Sequence, residues 1–223
     1  MLQPKNTPRA VLGCSWRSHM NKGLIFVISG PAGSGKGTVV AALREMLPDI
    51  GFSVSATTRA PRPGEVDGVN YHYISRERFT EMLDGGEILE HTEYCGNFYG
   101  TPKSEAVRVI ESGRDIILEI EVEGALQVKR LLPEDTVTVM LIAPDRAELE
   151  RRLRGRGTET DDVIKTRLQR AVTEVGLAEN YDYVVINETG KAEECAAKLL
   201  SIVKAEHSKY SRMKSTVEAY SAE

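Results

Sequence analysis

The feature that most constrains this chain is a glycine-rich loop between a short apolar run and a helical pattern. Residues 24–29 (LIFVIS) are almost all apolar and are typical of a buried strand, and from Val39 onwards apolar residues recur at helical spacing. Between them stands G-x-x-x-x-G-K, with Gly30, Gly35 and Lys36 in register. A loop of this kind turns backbone N–H groups inward and adds the positive end of a helix, so it predicts a phosphate site.

Two details of this loop bear on its ligand. A glycine-rich turn without a ligand is the alternative, and the strand and helix that flank the motif favour the phosphate site over it. Lys36 supplies a mobile positive charge that can follow a phosphoryl group. Gly37 stands where such loops usually have Ser or Thr, and Thr38 offers its hydroxyl one residue later. The loop therefore predicts phosphate binding more strongly than direct metal ligation.

Composition excludes several classes of protein. The 223-residue chain is 41% hydrophobic and 28% charged, which is typical of a globular protein, and its length fits one α/β domain with inserted lobes. A net charge of −4 argues against a general nucleic-acid binder. No run approaches the ~18 apolar residues of a membrane-spanning helix. Cys14, Cys95 and Cys195 are scattered and form no zinc pattern with the histidines, so we expect reduced thiols and a cytoplasmic protein.

Apolar runs and helical patterns alternate along the chain. After the first strand, strands are predicted at 51–55, 71–74, 88–94, 115–121, 136–142 and 182–187. Helices are predicted at 38–47, 76–84, 103–112, 124–132, 146–154, 161–179 and 191–206. Residues 116–120 and 137–142 are almost continuously apolar, as in a parallel sheet that is covered on both faces. The pattern therefore predicts a three-layer α/β core.

Two insertions and two tails are predicted around this core. Short polar strands and turn signals indicate a small mixed lobe, and six arginines around R-G-R-G-T-E-T-D-D indicate a second insertion. The basic N-terminal stretch contains Pro4 and Pro8, so a disordered tail, or a translation start placed ahead of Met20, is favoured over a targeting segment. The polar stretch from about Ser208 is expected to be frayed. The predicted division is a tail at 1–21, a core at 22–50, 102–150 and 180–206, a lobe at 51–101, a lid at 151–179 and a tail at 207–223.

Arginines in the small lobe suggest a second anion site. Arg59 and Arg62 stand around a proline-rich turn, and Tyr71 follows with a phenolic donor. Guanidinium groups offer forked donors that match phosphate oxygens. The alternative, which two arginines alone would favour, is a solvated basic loop.

The loop ILEHTEYCGNFYGTP suggests what lies beyond the phosphate. Glu90 stands between Ile88–Leu89 and a polar run, so its carboxylate is predicted to point from a strand into a cleft. A carboxylate matches the two adjacent donors of guanine, and Ser55 and Thr101 offer hydroxyls for the remaining polar edge. Such a site rejects the wrong base because its own polar groups stay unpaired. Glu90 as a surface acid is the alternative.

Four runs of the sequence carry a family resemblance. SATTRAPRPGEVDGVNY, GNFYGTP, LEIEVEG and GRGTETDD stand in the order and spacing seen in guanylate kinases. The sequence resembles that family over about residues 22–206. The resemblance implies a P-loop NTPase core with a parallel sheet, an inserted mixed GMP-binding lobe and a short helical lid.

The same resemblance implies an activity. It is transfer of the γ-phosphoryl group of ATP to GMP with Mg²⁺, giving ADP and GDP, a step in guanine nucleotide biosynthesis and GMP recycling. The implied partners are ATP and GMP, with dGMP as a further acceptor, and neither nucleic acid nor membrane. One rival is a non-catalytic guanylate-kinase-like module that binds proteins, which the intact phosphate loop opposes. The other is a kinase for a different nucleoside monophosphate, which the predicted base pocket opposes.

The resemblance also implies roles for individual residues. The ATP-binding residues are Gly30, Pro31, Ala32, Gly33, Ser34, Gly35, Lys36, Gly37, Thr38 and, beside the adenine, Asn187. The GMP-binding residues are Ser55, Arg59, Arg62, Tyr71, Glu90, Tyr99, Thr101 and Glu119. The catalytic residues are Lys36, Arg59, Arg152, Arg156 and Arg167. Gly37 is then a variant that occurs among relatives, and no role follows for Arg151, Arg154 or Arg170.

Two acids stand at the end of the strand that is predicted at 115–121. Glu119 and Glu121 are two residues apart, so on one strand both would point to the same face near its C-terminal end, where ligands bind in open α/β sheets. They match acidic positions that border the GMP and metal region of the family. Glu121 is the candidate metal ligand, through water. Two solvated carboxylates at a strand end are the alternative.

Overall fold

A computed structural model describes residues 22–94, 96–155, 157 and 160–221. The N-terminal tail predicted at 1–21 and the predicted catalytic residue Arg156 lie outside the described residues. In chain order the elements are β1 (Ile25–Ser29), α1 (Lys36–Met46), β2 (Gly51–Phe52), β3 (Ala56–Thr57), β4 (His72–Tyr73), α2 (Arg76–Asp84), β5 (Ile88–Tyr94), β6 (Asn97–Pro102), α3 (Lys103–Glu111), β7 (Ile116–Glu119), α4 (Val122–Leu131), β8 (Thr136–Ile142), α5 (Arg146–Gly155), α6 (Asp161–Val175), a 3-10 turn (Ala178–Asn180), β9 (Tyr183–Ile186), α7 (Ala192–His207) and α8 (Tyr210–Ser221).

Five parallel strands form the core sheet in the order β2-β7-β1-β8-β9. Alternate residues of β1 point to opposite faces, because the side chains of a strand alternate. Phe26 and Ile28 pack with α1 and α7 on one face, and Ile25 and Val27 pack with α3 and α4 on the other. The predicted three-layer α/β core is therefore confirmed. Since all five strands run the same way, their carboxyl ends meet at one edge, where ligands bind in such folds.

The small lobe is a second sheet, of order β4-β3-β6-β5, with parallel and antiparallel pairs. The strand β6 was not expected, because Gly100 and Pro102 lower the strand signal of this run. Gly100 is needed here since a Cβ at this position would lie 2.8 Å from the Glu90 carbonyl oxygen and 2.9 Å from Phe79. The predicted mixed lobe is thus present, and two of its four strands, β3 and β6, lie outside the strands that the sequence pattern indicates.

The lid is a helical hairpin on the core. Leu149 and Leu153 of α5 pack against Ile164 and Leu168 of α6 in one apolar cluster. Ala32 of the glycine-rich loop packs against the same cluster. The base of the lid therefore rests directly on the predicted phosphate site.

Two boundaries differ from the sequence prediction. The lobe was expected to begin at 51, whereas Gly51 and Phe52 pair with Ile116 and Ile117 in the core sheet. The run after Ser208 was expected to be frayed, whereas α8 covers Tyr210–Ser221. An ion pair and a hydrogen bond hold the start of this helix, because Lys209 contacts the buried Glu206 and Arg212 donates to the Glu134 carbonyl oxygen. The apolar periodicity of a sequence does not report such polar contacts. No helix in the described part of the chain is long and apolar enough to cross a membrane.

Candidate active site

The glycine-rich loop has a backbone that only glycine allows at key points. Gly30 has φ 141°, and a Cβ there would lie 2.1 Å from the Leu141 carbonyl oxygen of the neighbouring strand. Gly35 has φ 91° and precedes α1, and a Cβ there would lie 2.4 Å from Nδ2 of Asn187. The loop therefore lies close against the core and leads directly into the N-terminus of α1, which favours anion binding.

Lys36 is the first residue of α1 and reaches back over the loop. Its Nζ donates to the carbonyl oxygens of Gly30 at 2.5 Å and of Pro31 at 3.4 Å. Gly37 and Thr38 are exposed in the first turn of α1. A Cβ at Gly37 would come within 3.7 Å of the Glu119 carboxylate, so the first turn of α1 faces that acid. The ammonium group is thus held at the loop, where a phosphoryl group would lie.

Arg152 and Asn187 brace the loop from the lid and from the end of β9. Asn187 Nδ2 donates to the Ser34 carbonyl oxygen at 2.9 Å, and Arg152 Nη1 donates to the same oxygen at 3.2 Å. Arg152 also donates from Nη2 to the Asn187 carbonyl at 2.8 Å and from Nε to Glu148 at 2.7 Å. The catalytic role predicted for Arg152 and the adenine contact predicted for Asn187 stay predictions, and in this structure the two side chains hold the loop itself.

One cavity of about 510 Å³ joins the loop to the small lobe. Its lining includes many of the predicted site residues: Lys36, Ser55, Arg59, Arg62, Tyr71, Glu90, Tyr99, Glu119 and Glu121. Thr101 lies behind Glu90 and does not line the cavity. Arg152 and Arg167 are on the lid helices and do not line it. The structure therefore brings Lys36, the arginines of the small lobe and the predicted base pocket into one continuous space, whereas the other residues of the predicted ATP site do not line it.

Arg59 is held as a fork by an acid that the sequence analysis did not single out. Its Nη1 and Nη2 each donate to the Glu65 carboxylate at 3.0 Å. Glu65 also accepts from the Arg62 backbone N–H at 2.7 Å and from the Tyr73 hydroxyl at 2.8 Å. These bonds, the one from Arg59 above all, lower the pKa of Glu65 to about 2, and the pairing raises that of Arg59. Glu65 therefore fixes the orientation of the guanidinium at the cavity.

Aromatic side chains stack around this guanidinium. The Arg59 guanidinium carbon lies 5.5 Å from the ring centre of Tyr71, and Tyr71 meets Tyr99 edge-on at 5.9 Å. Burial raises the pKa of Tyr71, so its hydroxyl keeps its proton and can donate. The guanidinium and the two phenolic hydroxyls can each donate hydrogen bonds, which suits a phosphate group.

Glu90 is a buried carboxyl group at the other end of the cavity. It is 4% exposed, and Thr101 Oγ1 donates to its Oε1 at 2.8 Å. The absence of a side chain at Gly124 makes room for it, because a Cβ there would lie 2.3 Å from Oε2. Burial raises the pKa of Glu90 to about 7, and the hydrogen bonds from Thr101 act in the opposite direction. Glu90 is therefore not the surface acid of the alternative interpretation.

The two acids after β7 face the same cavity from different elements. The prediction that both stand on one strand is wrong, because β7 ends at Glu119 and Glu121 is the residue that precedes α4. The chain turns away from the sheet at this point to start the helix, and both side chains still line the cavity. Burial raises the pKa of Glu119, and the nearby Lys36 acts in the opposite direction.

Comparisons with known proteins identify the family. A family model described as guanylate kinase matches residues 22–206. The chain belongs to the guanylate kinase family. Guanylate kinases of Halalkalibacterium halodurans and Shouchella clausii are 53% and 50% identical over 192 residues, which is 86% of this chain and 93% and 92% of theirs. A crystal structure of guanylate kinase from Anaplasma phagocytophilum has a TM-score of 0.70 and 35% identity, and covers 86% of this chain and 90% of its own. The family resemblance and the fold class are confirmed.

The structure places further residues at the site that sequence reasoning missed. Glu65, Gly124, Asn70, Thr92 and Arg170 support or line the cavity. A glycine inside a helical pattern and an acid just after a proline-rich arginine turn were usable signals for two of them. The other three carry no local signal, because only the packing of the lobe and the lid brings them to the cavity.

Proposed function

We propose that the protein phosphorylates GMP with ATP, giving ADP and GDP. The observation that carries this proposal is the single cavity in which Lys36 of the phosphate loop, the Arg59 fork and the buried Glu90 face one space. A donor phosphate at the loop and an acceptor nucleotide in the lobe would meet between them. Membership of the guanylate kinase family supports the same reaction.

The acceptor base is recognised at the buried end of the cavity. An ionised Glu90 accepts two hydrogen bonds, and guanine has two adjacent donors, N1–H and the N2 amino group. Adenine offers an acceptor at N1, so it would leave a lone pair against a buried carboxylate. Thr101 fixes the carboxylate, and Ser55 lines the same cavity as a short hydroxyl group. The ribose 2′-hydroxyl has no assigned partner here, so dGMP is expected to be an acceptor as well.

The acceptor phosphate is held at the open side of the lobe. Arg59 is oriented by Glu65, and Arg62, Tyr71 and Tyr99 line the adjoining wall. Both terminal nitrogens of Arg59 already donate to Glu65, so the remaining N–H groups of the guanidinium would donate to the phosphate oxygens. Held in this way, an oxygen of the acceptor phosphate faces the phosphate loop as the attacking group.

The transfer itself requires positioning and positive charge rather than covalent chemistry. Phosphoryl transfer passes through a loose transition state whose charge is spread over the equatorial oxygens. Lys36 is held over the loop by two carbonyl oxygens and can follow these oxygens as the group moves. Closure of the lid over the cavity would exclude water, which competes with GMP as the acceptor.

Mg²⁺ is the cofactor that we propose, with ATP. Glu119 and Glu121 provide the oxygen donors that this ion prefers, and both line the cavity near Lys36. Among the described residues, no three His, Cys, Asp or Glu side chains converge as a ready-made metal site. That agrees with an ion held by one or two carboxylates and the substrate phosphates. When bound, Mg²⁺ would neutralise charge on the phosphates. We place the reaction in the cytoplasm as part of the same proposal.

The first test is ADP formation from Mg–ATP, with GMP, dGMP, AMP, CMP and UMP each offered as acceptor. Strong turnover with GMP and dGMP and little with AMP is the expected result. If another acceptor gave the highest turnover, the assignment of the base pocket would be wrong, whereas the assignment of the phosphate loop to ATP would not be affected. A folded protein that is inactive with every acceptor would favour the protein-binding module.

A further inference from the structure

The lid helix α6 brings one arginine to the wall of the cavity. Arg170 lines the cavity together with Arg59, Glu90 and Glu121, although it is 111 residues from Arg59 along the chain. The family resemblance gave it no role. Its position follows from the packing of α6 through Leu168 and Ala171 onto the lid cluster, which turns residue 170 toward the core.

A buried acid holds this arginine in place. Arg170 Nε donates to Glu174 Oε1 at 2.7 Å, four residues later on the same helix. The Glu174 side chain is 10% exposed, whereas that of Arg170 is 46% exposed. A charge-assisted bond from Nε to a buried carboxylate fixes the plane of the guanidinium and leaves its two terminal nitrogens directed away from that bond.

Those terminal nitrogens face an anion across the cavity. Arg170 Nη2 lies 3.7 Å from Glu121 Oε2, on the core side. This separation is that of an ion pair rather than of a direct hydrogen bond. A phosphate group presents the same kind of oxygen acceptors as Glu121 and carries more charge.

The other lid arginines of the described residues are placed differently, and one of them, Arg167 on α6, does not line the cavity. Arg151 and Arg154 pair with surface acids, Arg151 with Glu148 and Arg154 with Glu150 and Asp161. Arg152 is bound to the back of the phosphate loop. Arg170 is the described lid arginine that lines the cavity with the acceptor-side residues.

We propose that Arg170 binds the phosphate of the acceptor nucleotide from the lid side, opposite Arg59, and that Glu174 is its positioning residue. The proposal rests on the proposed function, because it takes the acceptor to be GMP. It adds a phosphate contact that reaches the nucleotide from the lid, so acceptor binding and lid position are linked through one side chain.

The test compares GMP with guanosine, which lacks the phosphate. In Arg170→Ala the Kd for GMP, measured by titration calorimetry, rises about 10-fold or more, because a hydrogen-bonded charge contact is lost. The inhibition constant of guanosine against GMP and the KM for ATP change by less than about 2-fold. The Kd of Arg170→Lys for GMP should lie between those of Arg170→Ala and the wild type, since lysine keeps the positive charge but lacks the forked donors of arginine.

Two further variants separate binding from structure. Arg154→Ala is the matched control, because Arg154 is 50% exposed and also pairs with an acid four residues away in sequence, yet lies outside the cavity. It should leave both constants unchanged. Glu174→Ala should raise the Kd for GMP and not the inhibition constant of guanosine, and should add little to Arg170→Ala in the double variant.

The outcomes distinguish the two proposals. If the wild type phosphorylates GMP and Arg170→Ala binds GMP as tightly as the wild type, Arg170 does not bind the phosphate and the proposed function stands. An equal weakening of GMP and guanosine would also overturn the role of Arg170, because it indicates a general loss of structure. A wild type that neither binds nor phosphorylates GMP would overturn both proposals.

Discussion

The two ends of the cavity are built in different ways. At the phosphate loop the chain offers backbone groups and one lysine, and glycines at 30 and 35 hold a backbone that other residues do not adopt. In the small lobe the chain offers side chains, with Glu65 orienting Arg59 and Thr101 fixing Glu90. A site made of backbone recognises what all nucleotides share. A site made of buried side chains recognises what distinguishes one base from another, and it depends on each of those side chains.

The largest effect is expected from removing the one side chain that the backbone site uses. Lys36→Ala should lower turnover by about 10²-fold or more, because a charge aimed at the transferring oxygens is lost. The fold should stay intact, since the Lys36 ammonium bonds only to carbonyl oxygens of the loop. Steady-state ADP formation and a thermal melt measure the two quantities. Near-normal turnover in the folded variant would contradict the role of Lys36.

The backbone itself can be broken at Gly30. Gly30→Ala places a methyl group 2.1 Å from the Leu141 carbonyl oxygen at a φ of 141°, so the loop or the strand must move. We expect a loss of more than about 2 kcal/mol in the free energy of unfolding. Gly190→Ala is the control, because Gly190 has φ 74° and open space around it. Equal losses in the two variants, measured by urea unfolding, would mean that the close approach at Gly30 carries no cost.

The buried carboxyl group of Glu90 should make the free energy of unfolding depend on pH. Burial raises the pKa of Glu90 from 4.5 to about 7, so between these pH values the folded protein binds a proton that the unfolded chain has released. Stability from this group is therefore present at low pH and is lost as pH rises through that window, by about 3 kcal/mol in full. Glu90→Gln lacks the titrating group, so its stability relative to the wild type should increase between pH 5 and pH 8.

Chemical denaturation at the two pH values measures this difference. Glu93→Gln, on the same strand with its side chain 54% exposed, is the matched control and should follow the wild type at both. The same pH dependence in Glu90→Gln and the wild type would show that Glu90 is ionised normally in the folded protein.

A smaller effect is expected on the choice of base. Glu90→Gln should lower kcat/KM for GMP by about 10- to 100-fold and change the value for AMP far less, because the lost contacts are those to the guanine donors. For the wild type, GMP affinity should rise from pH 6 to pH 8 as the carboxyl group ionises. Competition between GMP and AMP in one assay gives the ratio. If the ratio of kcat/KM for GMP to that for AMP in Glu90→Gln equalled the wild-type ratio, Glu90 would not be the residue that recognises the base.

The difference between the two ends also explains what the sequence could predict. The loop was readable because its glycines, lysine and flanking elements are consecutive, and local geometry alone makes the site. Strands 88–94 and 136–142 were predicted at their observed limits, the second because its apolar character is almost continuous. Glu90 and Thr101 were found through the chemistry of guanine and the resemblance, whereas their 2.8 Å contact depends on the pairing of β5 and β6.

Other residues could not be predicted because their roles are set by packing. Glu121 was expected on a strand, but the strand ends at Glu119 and Glu121 is the residue that precedes α4. Arg170 and Glu174 form an ordinary i, i+4 pair in sequence, and only the lid cluster turns that pair toward the cavity. Tertiary contacts of this kind leave no periodic trace in the chain.

The contact between Ala32 and the lid cluster has a mechanical consequence. Beside it, Gly33 lies so close to α5 that a Cβ would be 3.1 Å from Leu149 and 3.1 Å from Leu153. The loop and the base of the lid are thus packed together, and the contact between them is made by these two leucines. A shift of the loop at Ala32 or Gly33 would therefore be passed directly to α5 and, through the shared cluster, to α6.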